Sequence, residues 1–340
     1  MPASKGISSL WFWLRFLLAA ALLYFVISRS GGERILRALL SANPVWAAAS
    51  AFCFLLSIFV GALQWHMLLR LQGIEYGFFP SFRSYYAGLF LNNFMPGTVG
   101  GDALRVWDVH RSEAAHGVGK AAAATLIDRL LGFSALAFFS LLALGYELQR
   151  NSLPNGLIRQ LLLAVGAVFI CFVLLFVFLL SKRISNALHG AIRMLGWEKL
   201  DTAYAKVQDA LFAYKKRQRT LLPVFIVACL VQLLRVGVHA LCAFALHLTI
   251  APSFFFSFIP LIALAAVLPL NVGGWGIPQG LGAYLYALPG ILSPDAVSGP
   301  FEVSSAAAAL AFLPSAVGMV VMLWGGFYFV SGRPRKPKTP

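Results

Sequence analysis

Met95-Pro96-Gly97-Thr98-Val99-Gly100-Gly101 and, 173 residues later, Leu268-Pro269-Leu270-Asn271-Val272-Gly273-Gly274 interrupt two apolar stretches in the same way. Pro, Val and both Gly recur at one offset. Proline removes a backbone donor and glycine weakens a helix interior, so neither Phe79–Arg105 nor Pro252–Pro289 reads as one helix. The uninterrupted arm 82–95 has 14 residues. As a helix it would reach about 21 Å, short of a hydrocarbon core of about 30 Å. Each broken region therefore reads as a re-entrant helical hairpin.

Around the breaks lie apolar runs that are long enough to cross, since a span needs about 20 residues. Leu10–Ser28, Val45–Leu69, Gly119–Tyr146, Leu157–Ser181, Leu221–His247 and Phe301–Val330 qualify. The same 173-residue shift lays Val45–Leu69 on the Leu221–His247 span, Leu91 on Leu264 and His66 on His239. An internal repeat follows, covering about 45–146 and 220–330. The fold class is all-α: a polytopic helical membrane protein with about six full spans and two hairpins.

Composition agrees with this reading. Hydrophobic residues make up 60% of the 340, charged residues 11%, and mean hydropathy is +0.80. Soluble domains carry roughly 25% charge, so this chain faces lipid or its own interior. The net charge of +15 is spread between apolar runs rather than gathered on a polar domain, which points to membrane orientation and excludes a nucleic-acid partner. Cys53, Cys171, Cys229 and Cys242 lie inside apolar segments without metal spacing. The segment with Lys5 before an apolar run lacks a clean cleavage site and is interrupted by Arg15, so it reads as a retained first span.

Basic residues set the orientation. With Lys5 inside and the spans alternating, Arg70, Arg83, Arg105, Arg111 and Lys120 fall in the cytoplasm, as do the nine basic residues of Lys182–Arg219 and those of the tail 333–340. Both termini are then cytoplasmic in a bacterial inner membrane. In this topology the two hairpins enter from opposite sides, so the repeats are inverted, a recurrent plan of secondary transporters. The integral-membrane domain covers 1–332 and the basic, Pro-containing tail after it reads as disordered. The 182–219 loop is amphipathic, with apolar residues at Leu200, Tyr204, Val207, Leu211 and Tyr214, and reads as a linker held to anionic headgroups.

Polar groups at membrane depth are costly and mark candidate sites. Asn92 and Asn93 precede the first break; Gly100, Gly101, Asp102 and Arg105 follow its proline. The Asn side chains suit backbone groups freed at the break. Asp102 can cap the next helix, and Arg105 either pairs with it or reaches a phosphate. Asp128 and Arg129 point about 100° apart on one helix, so each seeks a partner elsewhere. Gln232, Arg235 and His239 form a single polar stripe on an apolar span and face a cavity or the bundle interior. The second break offers Asn271, Gly273, Gly274 and then Gln279, where glycine backbone can cradle an anion. His66 and His247 read as interfacial or core groups. No metal, cofactor or enzyme motif occurs: there is no GxxxxGK[ST], no Gly-x-Ser-x-Gly and no CxxC.

Asn93-Phe-Met-Pro96-Gly97-Thr-Val-Gly100-Gly101-Asp102-Ala-Leu-Arg105, Asp128-Arg129-Leu-Leu-Gly132 and Leu268-Pro269 to Gly273-Gly274-Trp-Gly276 resemble the lysylphosphatidylglycerol synthase transmembrane-region family. The resemblance covers essentially the whole chain. It implies a flippase-like protein with membrane lipids as ligands, and relatives near aminoacyl-phospholipid, polyprenyl-lipid, hopanoid and glycan pathways. Two departures matter. The sequence lacks a soluble aminoacyl-transferase domain, and Gln279 stands where the family commonly has an acid. The expectation is a lipid translocase whose anionic headgroup sits between the hairpin tips, bound by Arg105, Arg129 and Arg235. Envelope-lipid biosynthesis enzymes are the expected protein partners. Alternatives are an enzyme or accessory subunit that binds a polyprenyl-phosphate donor, and a gradient-driven small-solute transporter.

Overall fold

The computed structural model describes residues 32–93, 99–112, 117–150, 198–215, 218–267, 275–292 and 303–331, with isolated positions elsewhere. The expected span Leu10–Ser28 lies outside these residues except for Tyr24, about half of Leu157–Ser181 does, and Asn271, Gly273 and Gly274 do. The helices are α1 (Gly32–Leu40), α2 (Pro44–Leu71), α3 (Phe78–Asn92), α4 (Val99–Ser112), α5 (Gly117–Arg150), α6 (Glu198–Lys215), α7 (Gln218–Ala245), α8 (Pro252–Val267), α9 (Ile277–Tyr286) and α10 (Val303–Ser331). Among the described residues α2, α5, α7 and α10 are long and apolar enough to cross a membrane. The chain is an all-α polytopic membrane protein.

Local chemistry explains where these helices start and stop. Asn43 Oδ1 accepts from Val45 N at 2.9 Å and Pro44 opens α2, a favoured first-turn residue with no N–H to leave unpaired. Gly73, with φ of 73°, lies just beyond its end. His247 takes φ of 58° after α7 and lets the chain turn into α8. The first break separates α3 from α4, and these two helices pack on each other. Their contact is backbone on backbone: a Cβ on Gly101 would stand 2.0 Å from the Gly88 carbonyl oxygen, so no other residue fits there. Asn92 Oδ1 accepts from Gly101 N at 2.7 Å, the expected repair of a freed N–H. At the second break Gly276 has φ of 116°, and its N–H donates to Gln279 Oε1 at 2.8 Å, starting α9.

The order amphipathic helix, span, two short helices, span occurs twice, α1–α5 and α6–α10. The first span of each half, α2 or α7, starts at residue 44 or 218, and the short α3 and α8 start at 78 and 252. Packing obeys the same exchange. Most pairings in one half have a counterpart in the other: α3 on α10 and α8 on α5, α4 on α5 and α9 on α10, α6 on α5 and α1 on α10. The helices α2 and α7 form the central pair and run antiparallel. Asn43 N meets Ala245 O, Ser50 lies by Cys242, and Cys53 Sγ donates to Leu234 O, so one number rises as the other falls.

Two amphipathic helices close opposite parts of this frame. Ile35 and Ala38 of α1 are buried on Ala308, Ala309 and Phe312 of α10. On α6, Val207, Ala210, Leu211 and Tyr214 join the core formed by α2 and α5. Tyr214 donates to Leu68 O at 2.8 Å, and Gln72 Nε2 donates to Ala210 O at 2.8 Å. The apolar stripe of α6 therefore packs on protein.

Candidate functional site

Four charged side chains meet where α4 packs on α5. Arg105 Nη2 donates to Asp102 Oδ1 at 2.7 Å and Nη1 to Asp128 Oδ2 at 3.3 Å. Arg129 binds Asp102 with two bonds, Nε to Oδ2 at 3.0 Å and Nη2 to Oδ1 at 2.9 Å. Two cations and two carboxylates give no net charge. Asp128 and Arg129 thus find partners on α4 rather than each other, as their angular separation required. Asp128 also sits beside α2, whose Gln64 Nε2 donates to its backbone carbonyl at 3.3 Å.

Position within the quartet separates its members. The Arg105 side chain is 4% exposed. Its guanidinium carbon stands 5.1 Å from the Trp65 ring centre and 4.7 Å from that of Tyr85, a cation held between two aromatic faces. Arg105 thus pairs with two carboxylates and packs between two rings. Arg129 is 29% exposed and Asp102 22%. Both line a groove of about 460 Å³ with Ala103, Val106, Trp107, Val118, Ala122, Thr125 and Leu126. Arg129 Nη1 has no partner among the described residues.

The stripe on α7 differs in kind. The outward residues Ile226, Leu230, Leu233 and Phe244 are exposed, whereas Ala228, Val231, Val238 and Cys242 are buried. Arg235 lies at the middle of that buried face and is itself only half-buried. It makes no ion pair or hydrogen bond among the described residues. Neither break, 94–98 nor 268–274, contains an acidic residue. One turn earlier Gln232 is buried against Gly132 of α5, and its Oε1 has no donor among the described residues. One turn later His239 Nδ1 lies 3.4 Å from the Tyr286 hydroxyl of α9.

The remaining candidates are used to hold the breaks. Asn93 Nδ2 donates to Leu89 O at 3.3 Å and meets Met322 Sδ at 2.6 Å. Gly101 serves close packing rather than an anion cradle, and Gly100 is half-buried beside it. Gln279 is buried, capping Gly276 and donating through Nε2 to Ser315 Oγ at 2.8 Å. Sequence reasoning missed Trp65 and Tyr85, which complete the Arg105 site. It also missed the apolar groove, whose only sequence signal is a pair of small residues, Ala103 and Ala122, on helices joined by the quartet.

Similar proteins have been found in archaea. The chain is 22% identical over 181 residues to a UPF0104 membrane protein of Pyrococcus horikoshii, covering 53% of each. It is 26% identical over 137 residues to a UPF0104 membrane protein of Methanocaldococcus jannaschii, covering 39% of this chain and 38% of that one. The chain thus spans about half or less of the length of these relatives. Residues 12–299 match the family described as lysylphosphatidylglycerol synthase TM region, and the chain belongs to that family.

Proposed function

We propose that this protein is a lipid translocase which moves an anionic phospholipid or polyprenyl-phosphate-linked lipid across the membrane. The observation that supports this most is Arg235. A cation on the inward face of a span, without a carboxylate among the described residues, is costly unless water or a ligand compensates it. An anionic headgroup supplies that compensation, while Gln232 Oε1 accepts from a headgroup donor and His239 bounds the site. Arg105 is enclosed by two carboxylates and two aromatic rings, so the principal phosphate contact belongs to Arg235 rather than to Arg105.

In this reading the antiparallel α2 and α7 form the axis of two inverted repeats, and the broken pairs α3–α4 and α8–α9 are re-entrant hairpins that bring their tips toward the middle. The membrane is the inner membrane, with both termini cytoplasmic, and enzymes of envelope-lipid synthesis supply or consume the cargo. Purified protein in vesicles tests the reading. Labelled phosphatidylglycerol should become accessible from the other leaflet without chemical change. A chemically altered lipid would instead indicate an enzyme, and a protein that moves neither phosphatidylglycerol nor a polyprenyl phosphate is no such translocase.

A further inference from the structure

The groove between α4 and α5 is lined by none of Gln232, Arg235 and His239. It follows Asp102, Ala103, Val106 and Trp107 on one helix and Val118, Ala122, Thr125, Leu126 and Arg129 on the other. Spacings of three and four residues keep each set on one helix face. Trp107 and Val118 are exposed at one end, and Asp102 and Arg129 stand at the other, next to the first break. From Val118 to Arg129 the helix advances about 16 Å, roughly half of a hydrocarbon core. The groove therefore has the length of one leaflet.

Its walls and its end ask for different chemistry. Thr125 Oγ1 already donates to Ala121 O and accepts from Trp65 Nε1, so the walls offer hydrocarbon contact alone. Alanines at 103 and 122 add two small side chains to the lining. At the inner end, by contrast, a carboxylate and a guanidinium are both partly open, and Arg129 Nη1 donates to nothing among the described residues. Hydrocarbon alone would leave that donor unsatisfied, at a substantial cost. A molecule with a chain for the walls and an anionic oxygen for Nη1 satisfies both.

We propose that this groove is a chain-binding site: it holds one hydrocarbon chain of a phosphate-bearing lipid, with a phosphate oxygen accepting from Arg129 Nη1. The inference rests on the translocase reading and adds the place where the chain lies while the head is drawn toward mid-membrane. The head enters beside the α3–α4 break, and the chain stays within the leaflet it came from. The Asp102 carboxylate keeps two of the Arg129 nitrogens engaged, so the third is presented in a fixed direction.

Phosphatidylglycerol with a photoactivatable diazirine on one chain tests this in phosphatidylethanolamine–phosphatidylglycerol vesicles, with cross-links mapped by mass spectrometry. Cross-links should concentrate on residues 103–107 and 118–126 and exceed those around Leu142, which is 57% exposed on the same helix. Ala122→Trp should remove the groove cross-links and leave those at Leu142 unchanged. A diacylglycerol with the same labelled chain, having no phosphate, should label the groove no more than it labels Leu142. Equal labelling of groove and Leu142 by phosphatidylglycerol, or insensitivity to Ala122→Trp, overturns the chain site. Equal groove labelling by diacylglycerol overturns the Arg129 contact. Groove labelling in a protein that moves no lipid would leave the site standing and defeat the translocase reading alone. Transport at the wild-type rate by Ala122→Trp lacking groove cross-links would leave the translocase reading standing and overturn the groove as the place where the chain lies during transport.

Discussion

The Asp128 carboxylate lies 3.3 Å from Arg105 Nη1 across the α4–α5 seam, with both side chains more than nine-tenths enclosed. The pair ties the first broken segment to a full span, and Asp102 and Arg129 extend the tie by one turn. Removing one member leaves a buried charge without compensation.

Asp128→Ala should accordingly destabilise the protein by about 3–5 kcal/mol, seen as a lower melting temperature in detergent. Arg105→Lys should not restore stability, because an ammonium makes neither the forked bonds nor the stacking between Trp65 and Tyr85. The double change Arg105→Met with Asp128→Leu should be milder than either single loss. A wild-type melting temperature for Asp128→Ala would show that the seam is held by packing alone.

Arg235→Gln should have the opposite profile. No carboxylate is orphaned, so thermal stability stays near wild type. Loss of a charge-assisted contact of roughly 1.5–3 kcal/mol lowers lipid movement about tenfold to hundredfold. Transport at the wild-type rate with a large fall in stability would assign Arg235 to the frame instead.

Gly101 and Gly145 make a matched test of the first hairpin. Gly101→Ala pushes a methyl into the Gly88 carbonyl and should cost about 1–3 kcal/mol or more, with poor insertion and expression. Gly145→Ala has nothing within 4 Å of its new Cβ and should be neutral or up to about 1 kcal/mol stabilising. Similar melting temperatures for the two variants would mean that α3 and α4 do not touch in the membrane.

Orientation can be read with single cysteines in a background free of the four native ones. Arg34→Cys and Gln149→Cys should react with an impermeant maleimide in intact cells, and Lys216→Cys only after permeabilisation. Labelling of Lys216→Cys in intact cells would remove the basis for opposed hairpins.

Much of the frame was legible because apolar run length and Pro/Gly punctuation are local signals. The break at Pro96 and the start of α2 at Pro44 need no tertiary knowledge. The opposition of α2 and α7 was also legible, as a count of crossings, and the Asn43–Ala245 and Cys53–Leu234 contacts agree with it. What escaped depends on packing across distance. Arg105 and Asp128 are separated by 23 residues, and nothing in either segment tells which of several acids an arginine will meet. Val207, Leu211 and Tyr214 have the same spacing whether they face headgroups or protein. The fate of Gln279 was equally hidden, since only the φ of Gly276 reveals that a side chain is needed to cap that turn.

Helix pairings that survive exchange of the two halves have one more consequence. A bilayer has two faces, yet a bundle whose neighbours are the same when turned over can be seated either way with its packing intact. Nothing in α2 on α7, or in α3 on α10 and α8 on α5, names a cytoplasmic end. That decision falls to lysines and arginines at the rims, so moving a few of them should turn the molecule over without unfolding it.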